Sequence, residues 1–215
     1  MGIIRQGILG GFRNKTGTVV GSSWRGQDVM RGLPKKSDKA PTPEQLDQRA
    51  RFGLITNLLS KAKSAILLGF RSSLQIPTPM NVAVSINLAK AVTGVSPNFT
   101  ADPLKLVFSK GSLMQPTDAS IEGIIGGELK FEWSNDQEDD QCHPTDEVNL
   151  VVYNPIKGRF AFVKNAAMRS ALTFTVQLPL NWEDDTVYAY LFTSETKAFG
   201  KACSDTLYIG TTPVI

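Results

Sequence analysis

The residue types able to do chemistry are few, and their spacing is poor for it. The only histidine is His143, in the run DQEDDQCHPTDE (136–147), beside Cys142 and among Asp136, Glu138 and Asp140. A thiol, an imidazole and alternating carboxylates invite a metal reading. Structural zinc needs ligand pairs spaced as CxxC or HxxxH, and here the two soft donors are adjacent with no second pair behind them. The acids alternate as in a calcium loop, but the central glycine and the closing glutamate are missing. The stretch reads as a solvated acidic loop, with a weak cation site as the minor alternative.

Nucleophilic catalysis fares no better. No G-x-S-x-G elbow occurs. Neighbours in an extended loop point apart, so Cys142 and His143 do not make a thiol–imidazole pair. The glycines of GGF (10–12) and IIGGE (124–128) are hairpin glycines rather than a phosphate loop. Glu183 and Asp185 flank a turn beside Trp182 and read as a polar corner, not an acid/base couple. The expectation is therefore a non-enzymatic protein with no catalytic residue, no metal ligand and no cofactor. Cys142 and Cys203 are too few for a disulfide framework. Two reduced thiols are favoured, and a pair stays open.

Charge is the stronger signal. The net +3 hides an asymmetry: residues 1–75 carry 13 Lys and Arg against 4 Asp and Glu, whereas residues 76–215 carry 10 against 16. A basic front and an acidic back attract each other between copies, or the front meets a polyanion. Within the front, Phe12 and Trp24 interleave with Arg5, Arg13, Lys15, Arg25, Arg31, Lys35, Lys36 and Lys39. That pattern can grip phosphates and stack bases. The preferred reading is an arm whose arginine stems and indole dock on a neighbouring surface.

The elements that carry these residues fall into three stretches. Residues 1–34 read as a β-meander, with strands in ILGGF (8–12), TVVGSSW (18–24) and DVMR (28–31) and turns in RNKTG and RGQ. Residues 35–101 are a charged linker and a helical segment. Thr42, Pro43 and Gln45 form a helix-start signal, and apolar residues recur at helical spacing from Leu46 to Ala65, with Gly69 as the stop. Some 26 residues at roughly 1.5 Å each predict a rod of about 39 Å, long enough to pack on more than one surface. Residues 79–93 fit a short helix or a strand; the TPMN start, the alanines and Gly94 tip the balance to helix.

Residues 102–215 turn to period two. Strands are expected at 104–108, 128–133, 148–153, 159–163, 171–178, 186–192 and 206–209, the signature of a β-sandwich. The run NWEDDTVYAY predicts a tyrosine corner at Tyr188 or Tyr190. The fold class is thus mainly β with helices (α+β): an N-terminal meander, a long and a short helix, and an immunoglobulin- or fibronectin III-like sandwich.

No apolar run spans a bilayer. The opening MGIIRQGILGGFR is broken by Gly7, Gly10 and Gly11 before a signal-peptide core forms. Cytoplasmic synthesis without a signal peptide is expected, ending in an assembled particle or an extracellular appendage.

The run GGFRNKTGTVVGSSWRGQDVMRGLPKK (10–36), followed by PTPEQLDQRARFG (41–53), resembles an uncharacterised Bacteroidota family of similar length. SKGSL (109–113), VNLVVYNP (148–155), MRS (168–170) and LYIG (207–210) extend the resemblance over nearly the whole chain. It implies membership and architecture and carries over no catalytic residue.

These readings converge on a protein that assembles with copies of itself into a filament, tube or shell, as in a phage-like particle. The expected interface is Phe12, Trp24, Arg25, Met30, Arg31, Leu33, Arg49 and Phe52. The alternatives are a nucleic-acid coat or packaging protein, and a monomeric module that binds through its sandwich loops.

Overall fold

The computed structural model describes residues 2–4 (backbone only), 11–24, 26–35, 38–71, 77–135, 141–196 and 202–215. The chain divides into two compact units, residues 1–42 and 43–215. Strands dominate, and three helices lie in the second unit.

The first unit is an antiparallel sheet of β1 (Gly2–Ile4), β2 (Asn14–Thr16), β3 (Val19–Trp24) and β4 (Gln27–Gly32), in the order β1-β4-β3-β2. The β3–β4 hairpin turns at Gly26, whose φ of 78° suits glycine. The strands expected at 18–24 and 28–31 are present. Of 8–12, only Gly11 and Phe12 are described, and neither is in a strand. Asn14–Thr16, read as part of a turn, is itself a strand. Gly17 (φ 60°) and Thr18 supply the reversal, leaving Lys15 to pair with Val20.

The second unit is built in three layers around one sheet. β9 (Glu147–Asn154), β10 (Arg159–Met168), β12 (Thr186–Ser194) and β13 (Leu207–Pro213) pair antiparallel in the order β10-β9-β12-β13. On one side lies a smaller sheet of β7 (Thr117–Ile124), β8 (Glu128–Ser134) and β11 (Thr173–Gln177), ordered β11-β8-β7. Numbering only these seven strands, the first, second and fifth form one sheet and the rest form the other, as in fibronectin III-like sandwiches.

Alternation sorts the side chains of β9 and β12. Val148, Leu150, Val152, Val187, Ala189 and Leu191 join Leu129, Phe131, Trp133 and Val176 between the sheets. Val151, Tyr153, Tyr190 and Phe192 point the other way, into a second core with Ile55, Leu59, Ile66, Phe70 and Phe108. Fully burying one such Leu or Phe side chain contributes roughly 1.5–3 kcal/mol.

The helical layer is α1 (Pro43–Lys61), α2 (Lys63–Gly69) and α3 (Pro79–Lys90). The continuous rod expected to Gly69 is broken at Ala62 (φ −100°, ψ 21°). Nothing local forces this, since Lys-Ala-Lys is good helix sequence. Packing does: the redirected α2 buries Ala65, Ile66 and Gly69, and a Cβ on Gly69 would come within 2.3 Å of the Phe108 carbonyl oxygen. Residues 79–90 are helical, with the Thr78 hydroxyl accepting from the Asn81 N–H at 3.3 Å. A hairpin of β5 (Val92–Val95) and β6 (Asn98–Ala101) follows.

The strand expected at 104–108 does not form. Pro103–Lys105 is a 3-10 turn, started by Asp102 accepting from the Leu104 N–H at 3.0 Å. Beyond it, side chains replace ladder partners. Buried Asn87 of α3 donates to the Val107 carbonyl and accepts from the Val107 N–H, both at 2.8 Å. The Thr206 hydroxyl accepts from the Phe108 and Ser109 N–H groups at 2.8 Å each. The tyrosine corner is also absent: the Tyr190 hydroxyl donates 2.6 Å to the Pro103 carbonyl, tying β12 to this distant turn rather than to its own corner.

Replacing Asn87 with leucine leaves both Val107 backbone groups without partners in the interior. The expected loss is about 2–4 kcal/mol of unfolding free energy in a urea titration, and a loss near zero would contradict the assignment. Burial raises the Tyr190 and Tyr153 phenols above their ordinary value. A phenol harder to ionise when folded contributes stability that is complete below about pH 10 and is lost as pH rises further. The urea midpoint is therefore expected to hold level to about pH 9 and fall beyond about pH 10, less steeply for Tyr190→Phe.

Candidate assembly surface

The register of the N-terminal sheet determines what each face presents. Val20, Ser22 and Trp24 of β3 stand opposite Arg31, Val29 and Gln27 of β4, so these six share a face, and Lys15 joins them opposite Val20. Gly21, Ser23, Met30 and Asp28 point to the reverse. There Phe12 folds over the sheet: a Cβ on Gly21 would lie 2.2 Å from the Phe12 carbonyl oxygen and 2.7 Å from its ring. Glycine at position 21 is what lets Phe12 lie flat.

The expected interface residues are therefore divided. Trp24 and Arg31 meet on the front, where with Ser22 and Val29 they line a hollow of about 300 Å³. Met30 and Phe12 are on the back. Leu33 follows β4, its N–H donating to the Thr18 carbonyl at 2.8 Å. Arg25 lies outside the described residues. Arg49 and Phe52 belong to α1 in the second unit, where the first half of the helix is largely exposed, Phe52 at 51%. Its inner side is held to the β5–β6 hairpin by Asp47, which accepts from the Ser96 hydroxyl at 2.6 Å, and by Arg51, 4.4 Å above the Phe99 ring.

The residues first weighed for chemistry do not come together. Cys142 is buried and His143 is exposed, so the adjacent pair points apart. The His143 N–H donates to the Asp146 carboxylate at 3.0 Å, closing a turn. Asp136, Glu138 and Asp140 lie outside the described residues, and among the described residues no three His, Cys, Asp or Glu are grouped to hold a metal. Asp185 is buried, accepts from Asn154 at 2.8 Å and lies 3.6 Å from the Lys157 ammonium, while Glu183 is exposed. Cys142 and Cys203 are both buried and unbonded to each other. Burial raises the Cys203 thiol above its usual value, with Arg71 opposing.

The polar centre that residue types alone do not reveal is Arg169, 2% exposed. Its guanidinium donates to Asn135 Oδ1 (2.6 Å) and to the carbonyls of Met114 (2.6 Å) and Gln115 (3.1 Å). Its own carbonyl accepts from the Trp133 indole at 2.8 Å, and its N–H donates to the Asp146 carbonyl at 2.7 Å. The only hint was its place in MRS (168–170), one of the runs on which a family resemblance was expected. The SKGSL run is explained similarly: Ser109 donates to the Ser204 carbonyl at 2.7 Å, and a Cβ on Gly111 would lie 1.9 Å from the Cys203 carbonyl oxygen.

Of the three tryptophans, Trp133 and Trp182 are buried at 4% and 2%, whereas Trp24 is 47% exposed. Acrylamide is expected to quench one emission component in dilute protein and to lose it in Trp24→Phe. Equal quenching of wild type and variant would contradict the open front face.

No curated protein matches the chain. Residues 10–210 match the family described as a family of unknown function, DUF6266, which takes in the N-terminal sheet from before β2, the helical layer and nearly all of the sandwich. The protein belongs to that family.

Proposed function

We propose that this is a non-enzymatic structural protein whose basic N-terminal sheet docks on a neighbouring copy, building a filament, tube or shell. One observation carries the reading: among its described residues the N-terminal unit buries only Gly21 and Val29, while Trp24, Met30 and Leu33 stay substantially exposed. A four-stranded sheet of this size, without a packed face of its own, gains little from folding alone. Residues 1–42 carry eight Lys and Arg against two Asp and Glu, and residues 76–215 are net acidic, so the attraction runs from the front of one copy to the back of the next. Such head-to-tail contacts close into rings or continue as filaments.

The nucleic-acid reading of the same arm has one observation in its favour: Lys15, Arg31 and Trp24 share the open face. A 260 nm excess removed by salt would favour it.

Light scattering on the full chain and on a chain lacking residues 1–34 tests the proposal. Concentration-dependent growth is expected for the full chain, reversed by high salt, and a monomer that still unfolds cooperatively in urea for the truncation. An identical size distribution for the two would overturn it.

A further inference from the structure

A second cleft lies wholly within the 43–215 unit, between the C-terminal end of α1 and the β9–β10 turn. We propose that it binds a phosphate-bearing ligand with a flat ring, that is, a nucleotide. The cleft has a volume of about 480 Å³ and is lined by Lys61, Lys157, Gly158, Arg159 and Phe160. That volume lies within the range of small-ligand pockets.

Charge sets the ligand's sign. Three cations face the cleft, and the carboxylate engaged with them is Asp185, 3.6 Å from Lys157. Lys61 donates to the Gly158 carbonyl at 2.9 Å, which fixes its ammonium at the rim with two further N–H groups to offer. Arg159 is exposed and has no ion-pair partner among the described residues. Its planar fork matches two phosphate oxygens at once, which an ammonium cannot do. The α1 terminus adds partial negative charge nearby, and a cluster of three cations exceeds it.

The ring requirement comes from Phe160. One face of its ring stacks on Tyr153 (centroids 4.5 Å apart, 22° between planes), and Phe108 meets it edge-on at 5.6 Å. Phe160 also lines the cleft, so a ligand base can extend the Tyr153–Phe160 stack while its phosphate reaches Lys61 and Arg159. In the comparable hollow at Lys90, Leu104–Val107, Thr206 and Tyr208, Lys105 pairs with Asp102 at 3.3 Å and no arginine is among the described lining residues.

The test is calorimetric titration of the full chain with AMP, ribose 5-phosphate, inorganic phosphate and a short single-stranded oligonucleotide. AMP is expected to bind saturably, and ribose 5-phosphate and phosphate about tenfold or more weakly. Arg159→Ala, a surface change, is expected to lower AMP affinity about tenfold at an unchanged melting temperature. An oligonucleotide that binds more tightly than AMP, and equally depends on Arg159, places the ligand at a strand end; a weaker one marks a free nucleotide. No saturable AMP binding below about 10 mM, phosphate binding as tightly as AMP, or undiminished binding in the variant would each overturn the proposal. None of these outcomes bears on assembly, which the truncation reads separately.

Discussion

The strands β9 and β12 are shielded on both faces. Leu150 and Leu191 are sealed between two sheets, and Val151 and Phe192 are sealed under helices. An antiparallel sheet usually keeps one side wet, with polar residues alternating along it. Here VNLVVY and VYAYLF are nearly continuous apolar runs. That composition is stable only if something covers the outer face. The helical layer is therefore a requirement of the sandwich rather than a separate appendix, and the break at Ala62 brings α2 down where the sheet needs it.

Burial on this scale forces the polar groups into order. The segment 106–109 crosses the covered face without a strand partner, and Asn87 and Thr206 supply its hydrogen bonds instead. Arg169 does the same at another edge of the sandwich. Among the described residues its guanidinium is held by neutral oxygens, and it joins the 114–115 loop, Asn135 and β10's end into one network. Desolvating a cation is expensive, and several well-aligned acceptors offset much of the cost. These groups are the fastenings of the fold.

Legibility in the sequence followed the strength of local pattern. β8, β9, β10, β11, β12 and β13 were readable because their alternation is backed by aromatic and branched residues. β7 was missed, since TDASIEGI marks its inward side only with Ala119, Ile121 and Gly123. Residues 104–108 looked like a strand because periodicity does not show that Asn87, 20 residues away, will take the Val107 backbone. At the candidate surface, Trp24 and Arg31, two of the eight residues expected at an interface, share one face of the sheet. The separation of Met30 and Phe12 onto the reverse was not legible, because it depends on register: shifting the pairing by one residue would have exchanged the two faces. The first half of α1 is largely exposed, and the rod expected to pack on more than one surface is shorter than the periodicity implied, ending at Lys61.

Against this well-sealed second unit, the described residues of the N-terminal sheet bury only Gly21 and Val29. The most direct measurement is amide hydrogen exchange of residues 19–32 in the full chain at two protein concentrations, compared with β9 and β12 in the same sample. Protection of the N-terminal strands that rises with concentration, while β9 and β12 stay equally protected throughout, is what the account requires. Protection of residues 19–32 that is already complete in dilute monomer would contradict it.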